Sequence, residues 1–521
     1  MANDFDVIVI GSGFGGAICS ARLAEAGYRV LILERGRRWD VKDFPRKPDD
    51  AWTWDHDHPE QKHGWFDFRV FPNMTVVQGA GVGGGSLVYA NISVPAKEDT
   101  FDDGGPREIT FAGLQPHYER VGTTMNVKAV PKEQWPERTK LLHEAAETLG
   151  YGDRFRRLEL AVTFDERWTY NQPNPHDPAK SQPRVNAQGQ SQGTCVHLGD
   201  CDLGCDVRAR NTLDLNYIPI AEQHGAVVKP LHLVRSITPT GEGYEVSYHE
   251  IAGGALVPGT VTGRIVVVAA GSMGSTELLL QCRANASALP NISARLGRGW
   301  SSNGDFLTPA IHFTRNVNPT RGPTITGAVD LLDGAFRGQP MFIEDGGLPN
   351  IADGELRRLA GRDGADDSEQ ALIATVRLLF SNGVLANVMP WFAQSRDAAD
   401  GEMSLKNGKL FLTWDPAASK PTIDAVVAMH QQMALRTGGL PLTPLTWTAC
   451  SDLITPHPLG GCNMAVSADR GVVDHKGEVF GYRNLYVADG AIVPKALGLN
   501  PSRTIGALAE RISSLIVAEQ R

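Results

Sequence analysis

The chain has 521 residues, and at about 100–200 residues per domain this length predicts roughly two to four structural units. Hydrophobic residues make up 42% and charged residues 21%, which is typical of globular proteins with large cores and excludes a disordered chain. The 50 basic and 59 acidic residues give a net charge of −9. This charge excludes the overall basic surface of a nucleic-acid-binding protein and argues against attraction to anionic lipid.

Leader, membrane and disulfide signals all indicate a cytoplasmic protein. No apolar run reaches the ~18–20 residues that a membrane span needs, and residues 1–6 carry no cationic leader. Seven cysteines, an odd number in so long a chain, do not form the pattern of a secreted disulfide framework. We therefore expect a soluble, cytoplasmic protein of several domains, with no nucleic-acid partner and no transmembrane segment.

The first predicted elements form a βαβ unit. Phe5–Ile10 is a β-branched run typical of a buried parallel strand, residues 17–26 have the spacing of a helix packed on a sheet, and residues 29–33 predict a second strand. The sequence GSGFGG lies between the first strand and the helix. A glycine motif in this position is typical of a dinucleotide-binding fold.

The individual residues of this turn favour that interpretation over a plain glycine turn. Gly11 permits the tight turn, Gly13 lets the backbone approach a pyrophosphate, and Gly16 allows close helix–strand packing. The amino end of the helix offers N–H groups and a positive dipole to the pyrophosphate. Glu34, which closes the second strand, suits ribose hydroxyls and disfavours the 2′-phosphate of NADP. FAD and NAD both remain open from these residues.

Strand and helix signals continue along the chain. After a loop-like stretch at residues 37–67, elements are predicted at residues 227–234, 244–249, 264–270, 371–379, 408–414, 422–436, 484–490 and 504–518. Because nucleotide-binding signals occur at both ends and in the middle of the chain, we expect a discontinuous cofactor domain interrupted by other structure.

A second glycine-rich segment occupies residues 79–91 (GAGVGGGSLVYAN), with five glycines in its first seven residues. Such backbone can pass against a flat ring or a phosphate with its N–H groups exposed. The alternative is a flexible surface loop. Flexible loops seldom lead directly into an apolar stretch such as residues 87–90, so we favour a cofactor contact.

Two polar residues near the carboxyl end are candidates for chemistry. His457 stands between prolines (TPHPLGG), which fix the backbone and would hold an imidazole in one orientation. Asn500 precedes Pro501 at the entry to the last predicted helix. From these residues alone, a structural histidine and a helix-capping asparagine remain open alternatives.

Several motifs together resemble the glucose–methanol–choline (GMC) oxidoreductase family, and more closely its cholesterol-oxidase-like branch. The blocks, in family order, are GSGFGG with Glu34, GVGGGSLV at 81–88, VVAAGSMGSTELLL at 267–280, LGRGWSSNGD at 296–305, HPLGGC at 457–462 and NLYVADGAIVPKALGLNPSRTIGALAER at 484–511. They span nearly the whole chain, and the last two are specific.

The resemblance implies an α/β fold: a discontinuous FAD-binding Rossmann-like domain with a substrate domain on a mixed or antiparallel sheet. The expected FAD-binding domain comprises residues 1–43, 213–306 and 465–521. The expected substrate domain, with segments that cover the FAD, comprises residues 44–212 and 307–464.

The resemblance also implies FAD as the cofactor. The expected FAD-binding residues are Gly11, Gly13, Phe14, Gly15, Gly16, Glu34, Arg35, Gly81, Gly84, Gly85, Ser86, Asn91, Val234, Ala270, Gly271, Asp489, Gly490, Asn500 and Pro501.

In the family, the histidine and asparagine of the last two motifs face the reactive edge of the flavin and the substrate hydroxyl. The matching residues here are His457 and Asn500. The implied reaction is a two-electron alcohol oxidation, in which the flavin takes a hydride from the carbinol carbon. His457 would accept the hydroxyl proton, and Asn500 would make a hydrogen bond that tunes the flavin or the substrate.

Glu344, in MFIEDGGLP, is the third catalytic candidate that the resemblance implies. Cholesterol oxidases of this kind hold a glutamate in the substrate cavity, and it moves a proton when the 5-ene-3-ketone isomerises to the 4-ene. A buried glutamate would need a raised pKa for that role. The alternative is a solvated charge, and residues 351–413 resemble an insertion after this strand.

Cys195, Cys201 and Cys205 form a C-x5-C-x3-C cluster with three interpretations. Some GMC-related membrane dehydrogenases carry an iron–sulfur cluster in a comparable region, whereas other relatives have metal-free cysteines that shape a loop. Only three thiols are close in sequence, with His197 nearby, and zinc would prefer four ligands. We therefore expect no metal.

The leading prediction is FAD-dependent oxidation of a secondary alcohol, a 3β-hydroxysterol or another bulky hydrophobic alcohol, with oxygen as the acceptor. A sterol substrate would imply transient contact with a membrane. The alternative is a GMC dehydrogenase of a non-sterol alcohol that passes electrons to a quinone or another acceptor. A noncatalytic flavoprotein is disfavoured because both His457 and Asn500 are present.

Overall fold

The structure is a computed structural model that describes residues 3–47, 49–102, 105–350, 384–444, 447–448 and 451–519. Its helices, numbered in chain order, are α1 (Phe14–Glu25), α2 (Phe111–Thr124), α3 (Glu137–Thr148), α4 (Tyr217–Gln223), α5 (Gly271–Ala284), α6 (Lys420–Arg436) and α7 (Ser502–Glu519). The helix predicted at residues 371–379 lies outside the described residues.

The strands are β1 (Phe5–Ile10), β2 (Val30–Leu33), β3 (Phe66–Phe71), β4 (Met74–Gly79), β5 (Lys128–Ala129), β6 (Phe155–Arg157), β7 (Glu159–Leu160), β8 (Arg184–Val185), β9 (Ser191–Gln192), β10 (Val227–Lys229), β11 (His232–Pro239), β12 (Tyr244–Ala252), β13 (Ala255–Val268), β14 (Arg298–Trp300), β15 (Phe306–Ile311), β16 (Gly327–Leu331), β17 (Met341–Glu344), β18 (Val388–Ser395), β19 (Gly401–Lys406), β20 (Lys409–Thr413), β21 (Leu440–Pro441), β22 (Leu453–Thr455) and β23 (Leu485–Val487).

The largest sheet contains the predicted βαβ unit. Its strand order is β10–β2–β1–β13–β12–β11, and β23 pairs with the carboxyl end of β13. Strands β10, β2, β1, β13 and β23 run parallel, whereas β12 and β11 are antiparallel. All of β2 and the last four residues of β1 are buried, as expected for parallel strands covered on both faces. The predicted Rossmann-like unit is confirmed.

Helices cover this sheet and one another. α1 packs against β1 and β2 and also against α4 and α7, while α5 packs against β11. The most buried face of α1 consists of small and apolar residues, which lets the helix lie close to the sheet. Within the described ranges, no helix combines the length and the apolar character needed to cross a membrane.

The single strand predicted at residues 227–234 is wrong, because the chain forms two strands there. β10 lies parallel to β2 at one edge of the sheet, whereas β11 lies antiparallel to β12 at the other end of the order. Pro230 has no N–H for a ladder, and Leu231 has a φ of +59°, so the strand breaks between them and changes partner.

β13 begins earlier than the predicted residue 264. Gly253 and Gly254 both have positive φ, at 57° and 77°, and they join β12 to β13 as a hairpin. Two positive values in a two-residue loop are typical of the turn that matches the twist of paired strands. The outer half of β13 is therefore a hairpin arm, and only its last residues lie between β1 and β23.

A six-stranded sheet forms the second large layer, in the order β21–β15–β18–β17–β16–β6. Every neighbouring pair in it is antiparallel. α3 packs against β16, and α6 packs against β15, β18 and β21. This arrangement confirms the antiparallel sheet with helices that the family resemblance implied. The exact domain divisions stay predictions.

A small sheet with the strand order β22–β4–β3 ends next to the candidate site. β22 runs parallel to β4, and the residue two positions after its end is His457. The turns that follow β1, β13 and β23 lie side by side, because those strands are neighbours and parallel. This carboxyl edge of a parallel sheet is where ligands bind in doubly wound folds.

Candidate active site

The GSGFGG turn packs against other backbone at distances that no side chain would tolerate. A Cβ on Gly11, whose φ is +94°, would stand 2.4 Å from the carbonyl oxygen of Ala269. A Cβ on Gly15 would stand 1.7 Å from the carbonyl oxygen of Ala488, and one on Gly16 would stand 2.0 Å from that of Gly11. The turn is therefore closed against the segments that follow β13 and β23.

Gly13 lies where the two glycine-rich segments meet. The nearest atom to a Cβ on Gly13 would be the Cα of Gly84, at 3.9 Å, while a Cβ on Gly84 would stand 2.5 Å from the Cα of Gly13. α1 has no capping side chain and no acidic residue in its first turn. Its first N–H groups are therefore available to an anion. A pyrophosphate suits this junction.

The Glu34 carboxylate is buried beside the junction and already has three donors. Oε2 accepts hydrogen bonds from the N–H and the hydroxyl of Ser12, at 3.0 and 2.6 Å, and Oε1 accepts one from the N–H of Gly36 at 2.8 Å. A carboxylate has about four acceptor positions, so one remains for a ribose hydroxyl. Burial raises the pKa of Glu34, and these hydrogen bonds oppose the rise. Sequence analysis did not predict this role of Ser12.

The side chain of Arg35 forms an ion pair with Asp67. Its guanidinium donates to the carboxylate of Asp67 at 2.7 Å and lies over the ring of Trp54, 4.9 Å from the ring centroid. Burial tends to raise the pKa of Asp67, but the positive charges of Arg35 and Arg69 hold it well below its usual range. Arg35 thus belongs to a charged cluster behind Glu34, and its contact with a cofactor stays a prediction.

The second glycine-rich segment turns through a short 3-10 helix, Gly84–Leu87. Gly85 is exposed, and a Cβ there would meet no atom within 4 Å, whereas a Cβ on Gly81 would stand 2.5 Å from the ring of Trp39. The Ser86 hydroxyl is used internally, since it donates to the Gly83 carbonyl at 2.7 Å and accepts from a backbone N–H at 3.0 Å. Gly85 is the residue of this segment that borders open space.

Arg210 holds this segment in shape, a role that sequence analysis missed. Its buried guanidinium donates to Asn91 Oδ1 at 2.7 Å. It also donates, at 2.7–3.0 Å, to three carbonyl groups of the segment, those of Ser86, Leu87 and Tyr89. Asn91 has a φ of +66°, and its buried Nδ2 has no acceptor among the described residues. An unpaired amide beside the junction suits an acceptor atom on a cofactor.

Asp489 ties the carboxyl-terminal motif to the turn before α5. Its Oδ2 accepts from the N–H of Gly271 at 2.8 Å and from the hydroxyl of Ser275 at 2.5 Å, and its Oδ1 accepts from the N–H of Ala491 at 2.8 Å. The Ser275 hydroxyl also accepts from the N–H of Ala270 at 2.9 Å. Burial raises the pKa of Asp489, and the hydrogen bonds oppose the rise.

The other predicted cofactor residues are distributed around these elements. Phe14 makes an edge contact with Tyr89, with ring centroids 5.5 Å apart. Val234 is half-buried at a bulge of β11, Gly490 begins the 3-10 helix Gly490–Ile492, and Pro501 is buried just before α7. Their contacts with FAD stay predictions.

His457 faces a carboxylate that sequence analysis did not assign. Its Nδ1 lies 2.9 and 3.1 Å from the two carboxylate oxygens of Asp305, the last residue of the LGRGWSSNGD block. The hydroxyl of Thr455 donates to Asp305 Oδ2 at 2.6 Å and accepts from the N–H of His457 at 2.9 Å. The side chain of His457 is 18% exposed, and its Nε2 has no hydrogen-bond partner among the described residues.

Glu344 and Asn500 belong to a neighbouring buried group. Glu344 ends β17, and its Oε2 accepts from Gln394 Nε2 on β18 at 3.0 Å. Burial raises the pKa of Glu344 well above its usual range, against the hydrogen bond from Gln394. The negative charges of Asp345 and Asp305 add to the rise, and a side-chain hydrogen bond with Asn500 opposes it. The structure therefore brings all three catalytic candidates to one region.

Three oxygen atoms of this group lack a donor among the described residues: Glu344 Oε1, Gln394 Oε1 and Asn500 Oδ1. A buried acceptor without a donor costs free energy. A proton on Glu344 would supply one donor, and a substrate hydroxyl would supply another. The arrangement suits a ligand that brings O–H groups into the site.

The three clustered cysteines surround one small cavity. They are free thiols that line a cavity of about 20 Å³, room for about one water. Burial raises the pKa of Cys201 to about 11, and it also raises those of Cys195 and Cys205. In the described part of the chain, no three His, Cys, Asp or Glu side chains are placed to hold a metal ion. Metal-free cysteines stay our prediction.

Family models match two parts of the chain. A GMC oxidoreductase model matches residues 417–509, which contain His457 and Asn500, and a model of an NAD(P)-binding Rossmann-like domain matches residues 9–59.

Full-length relatives are also found. The chain is 30% identical to a cholesterol oxidase from Acinetobacter baumannii, over 99% of this chain and 95% of that protein. It is 30% identical to a cholesterol oxidase from Mycobacterium tuberculosis, over 99% of this chain and 91% of that protein. A long-chain-alcohol oxidase from Arabidopsis thaliana is 23% identical over 98% of this chain and 67% of its own length.

Solved structures with similar folds include two other oxidases. A pyridoxine 4-oxidase from Mesorbium loti superposes with a TM-score of 0.65 at 16% identity, over 98% of both chains. A fungal aryl-alcohol oxidase superposes with a TM-score of 0.61 at 14% identity, over the whole of both chains. At these identities the similarity establishes the fold alone.

Proposed function

Because this chain belongs to the GMC oxidoreductases, a family of FAD-dependent alcohol oxidoreductases, we propose that it oxidises a 3β-hydroxysterol or a similarly bulky hydrophobic secondary alcohol, with oxygen as the electron acceptor. Two cholesterol oxidases similar over almost the full length support the substrate class. The observation that carries the proposal is the grouping of His457, Asn500 and Glu344 in one region.

The junction of the two glycine-rich segments would hold the cofactor. The N–H groups at the start of α1 and the backbone at Gly84 and Gly85 would receive the pyrophosphate. Glu34 would accept a ribose hydroxyl, and the unpaired Asn91 amide would donate to a cofactor acceptor. When bound, FAD supplies the two-electron oxidant for the carbinol carbon.

His457 and Asn500 would act on the substrate hydroxyl. With Nδ1 held by Asp305, the His457 ring offers Nε2 as the acceptor for the hydroxyl proton. Asn500, whose buried side chain carries an unpaired oxygen, would make a hydrogen bond that tunes the flavin or the substrate. Together, the two side chains would orient the alcohol while its proton leaves.

Glu344 would act in a second step if the substrate is a 5-ene sterol. Burial raises its pKa well above the usual range, which favours the protonated form of the carboxyl group. The same environment makes its conjugate base strong, which suits proton transfer during isomerisation of the 5-ene-3-ketone. Gln394 would hold one oxygen of the carboxyl group in place while the other moves the proton.

A long-chain primary alcohol is the second candidate substrate. The similarity to a plant long-chain-alcohol oxidase covers 98% of this chain, although at only 23% identity. Such a substrate would use His457 and Asn500 in the same way and would leave Glu344 without an isomerisation to perform.

The test is anaerobic reduction of the purified holoenzyme. Cholesterol, a straight-chain long primary alcohol and benzyl alcohol are mixed separately with the enzyme, and bleaching of the oxidised flavin is followed. Air is then admitted. Bleaching by cholesterol followed by rapid reoxidation supports the proposal. Bleaching only by the straight-chain alcohol favours the second candidate, and slow reoxidation that a quinone accelerates overturns the choice of oxygen.

A further inference from the structure

We propose that Asp305 is the positioning residue of this site: it fixes the protonated nitrogen of His457 at Nδ1 and thereby makes Nε2 the proton acceptor for the alcohol. The inference rests on the proposed function for the identity of the proton donor. It goes beyond that function by assigning a role to a carboxylate 152 positions from the histidine it contacts.

The contact between Asp305 and His457 is supported by hydrogen bonds to both residues. Asp305 is 1% exposed and comes immediately before β15. Both of its oxygens lie within 3.1 Å of His457 Nδ1, and Thr455 donates its hydroxyl to Oδ2 at 2.6 Å. Thr455 also receives the backbone N–H of His457, so one hydroxyl fixes the carboxylate and the histidine backbone together.

The chemistry of the contact decides which ring nitrogen carries hydrogen. An ionised carboxylate only accepts hydrogen bonds, so Nδ1 must be the N–H that it receives. The neutral ring then has its lone pair on Nε2, the nitrogen without a partner among the described residues. When Nε2 takes a proton, the negative charge of Asp305 stabilises the imidazolium that results.

The neighbouring carboxyl group, that of Glu344, lies in a different electrostatic environment from that of Asp305. Asp305 faces His457 from the position before β15, and its charge helps to raise the pKa of Glu344 at the end of β17. Asp305 has an imidazole partner and Glu344 does not. Two nearby carboxyl groups in different environments favour different protonation states, and burial favours the neutral form of Glu344.

A purely structural role for Asp305 is already filled by another carboxylate. Asp397 holds the same loop through the hydroxyl of Ser301 at 2.7 Å and through the N–H and hydroxyl of Ser302, both at 2.8 Å. Asp305, in contrast, directs its oxygens to Thr455 and His457. Asp397 therefore provides a matched control: a carboxylate that holds the same loop and does not contact the histidine.

The experiment compares Asp305→Asn with Asp397→Asn in the FAD holoenzyme. Each change keeps side-chain shape and removes one negative charge. Anaerobic flavin reduction is measured across pH with cholesterol, or with whichever alcohol of the panel bleaches the wild-type flavin. We expect Asp305→Asn to lower the limiting reduction rate by about 10²-fold or more, with little change in the half-saturating substrate concentration. The midpoint of the rising limb of its pH profile should move to lower pH.

A second readout does not depend on turnover. The ¹⁵N shifts of histidine, assigned by their loss in His457→Gln, report which ring nitrogen is protonated. We expect the Nδ1–H form at His457 in the wild type and in Asp397→Asn, and a mixture with the Nε2–H form in Asp305→Asn.

The outcomes are distinct. Equal loss of rate in both variants, an unmoved pH profile, or an Nε2–H ring in the wild type would each overturn the positioning role. If no alcohol of the panel reduces the wild-type flavin, the proposed function fails, while the nitrogen shifts still decide whether Asp305 sets the protonated nitrogen.

Discussion

The imidazole of His457 is the residue on which the proposed chemistry depends most directly. We expect His457→Ala to retain FAD, because the glycine junction is formed by other segments. Its anaerobic flavin reduction should slow by about 10²–10⁴-fold, the usual contribution of a general base. Stopped-flow absorbance measures the rate, and His58→Ala, a change of a side chain that is 62% exposed, serves as the control. A near-normal rate at saturating substrate would show that His457 is structural.

Asn500→Ala tests whether the two residues act on one transition state. The single change should also slow reduction, because an orienting amide is removed. The double variant should lose less than the product of the two separate factors, since coupled groups are not additive. Strictly multiplicative losses would mean that the residues act independently.

Glu344→Gln separates oxidation from isomerisation. Glutamine matches the neutral carboxyl group in shape and can keep a hydrogen bond with Gln394, so flavin reduction by cholesterol should stay within a few-fold of wild type. Because an amide cannot move the proton, the released product should be the unisomerised 5-ene-3-ketone. Chromatography distinguishes the two enones. Formation of the 4-ene at the wild-type rate would exclude the proton-transfer role.

Gly13→Ala and Gly15→Ala make a matched pair. A methyl group at Gly13 would meet no protein atom closer than 3.9 Å, so the chain should fold, but the methyl group enters the space needed for a pyrophosphate. A methyl group at Gly15 would stand 1.7 Å from a carbonyl oxygen and should disrupt folding itself. We expect a folded, colourless Gly13→Ala and an unstable Gly15→Ala. Flavin absorbance and circular dichroism measure the two effects.

At the scale of elements, the sequence predicted what local patterns determine. β1 and β2 are continuous apolar runs, and the glycine turn has a recognised spacing, so their type and pairing followed from local signals. The break at Pro230 was missed, because the apolar residues continue on both sides of it and the change of strand partner is a tertiary event.

The partners of site residues were less predictable than the site residues themselves. His457 and Asn500 stand in specific motifs. Gln394 reaches the site through the pairing of β17 with β18, and Asp305 reaches it through a side-chain contact across 152 positions of chain. Arg210 likewise reaches the glycine-rich segment only in the folded protein. No spacing rule connects residues that meet in this way.

Asp200, in the loop of the three clustered cysteines, lowers the stability of the folded protein by an amount that depends on pH. Burial raises the pKa of Asp200 to about 7, against the attraction of Arg46. The native state therefore holds a proton on Asp200 between about pH 4 and pH 7 that the unfolded chain releases, so this residue makes stability fall as pH rises through that window. We expect Asp200→Asn to be more stable than wild type at pH 8, by up to about 4 kcal/mol, and equal to it near pH 4.

Thermal unfolding at both pH values measures this difference. Asp153→Asn is the control, because this carboxylate is exposed and is not among the charges that shift the pKa of Asp200. A stability gain for Asp200→Asn that is the same at pH 4 and pH 8 would contradict the proposed titration.

At the scale of the whole molecule, we expect bound FAD to raise the free energy of unfolding. The junction gathers residues from β1–α1, from the second glycine-rich segment and from the segment after β23. A ligand that binds only the native state stabilises it by about 2.7 kcal/mol at a hundred times its dissociation constant. We expect the apoprotein to melt at a lower temperature and FAD to restore the higher one. Gly13→Ala should show no such FAD-dependent shift, and a shift of wild-type size in that variant would contradict the assigned binding site.

The contact of Gly15 with Ala488 has a consequence for biosynthesis. Translation at about 5–20 residues per second places roughly 20–100 s between the two residues at the ribosome. Until the later residue emerges, the nascent chain exposes an incomplete nucleotide cleft and unpaired strand edges. We therefore expect FAD to bind only after most of the chain has been synthesised, and we expect a chain that ends before Ala488 not to bind FAD at any concentration.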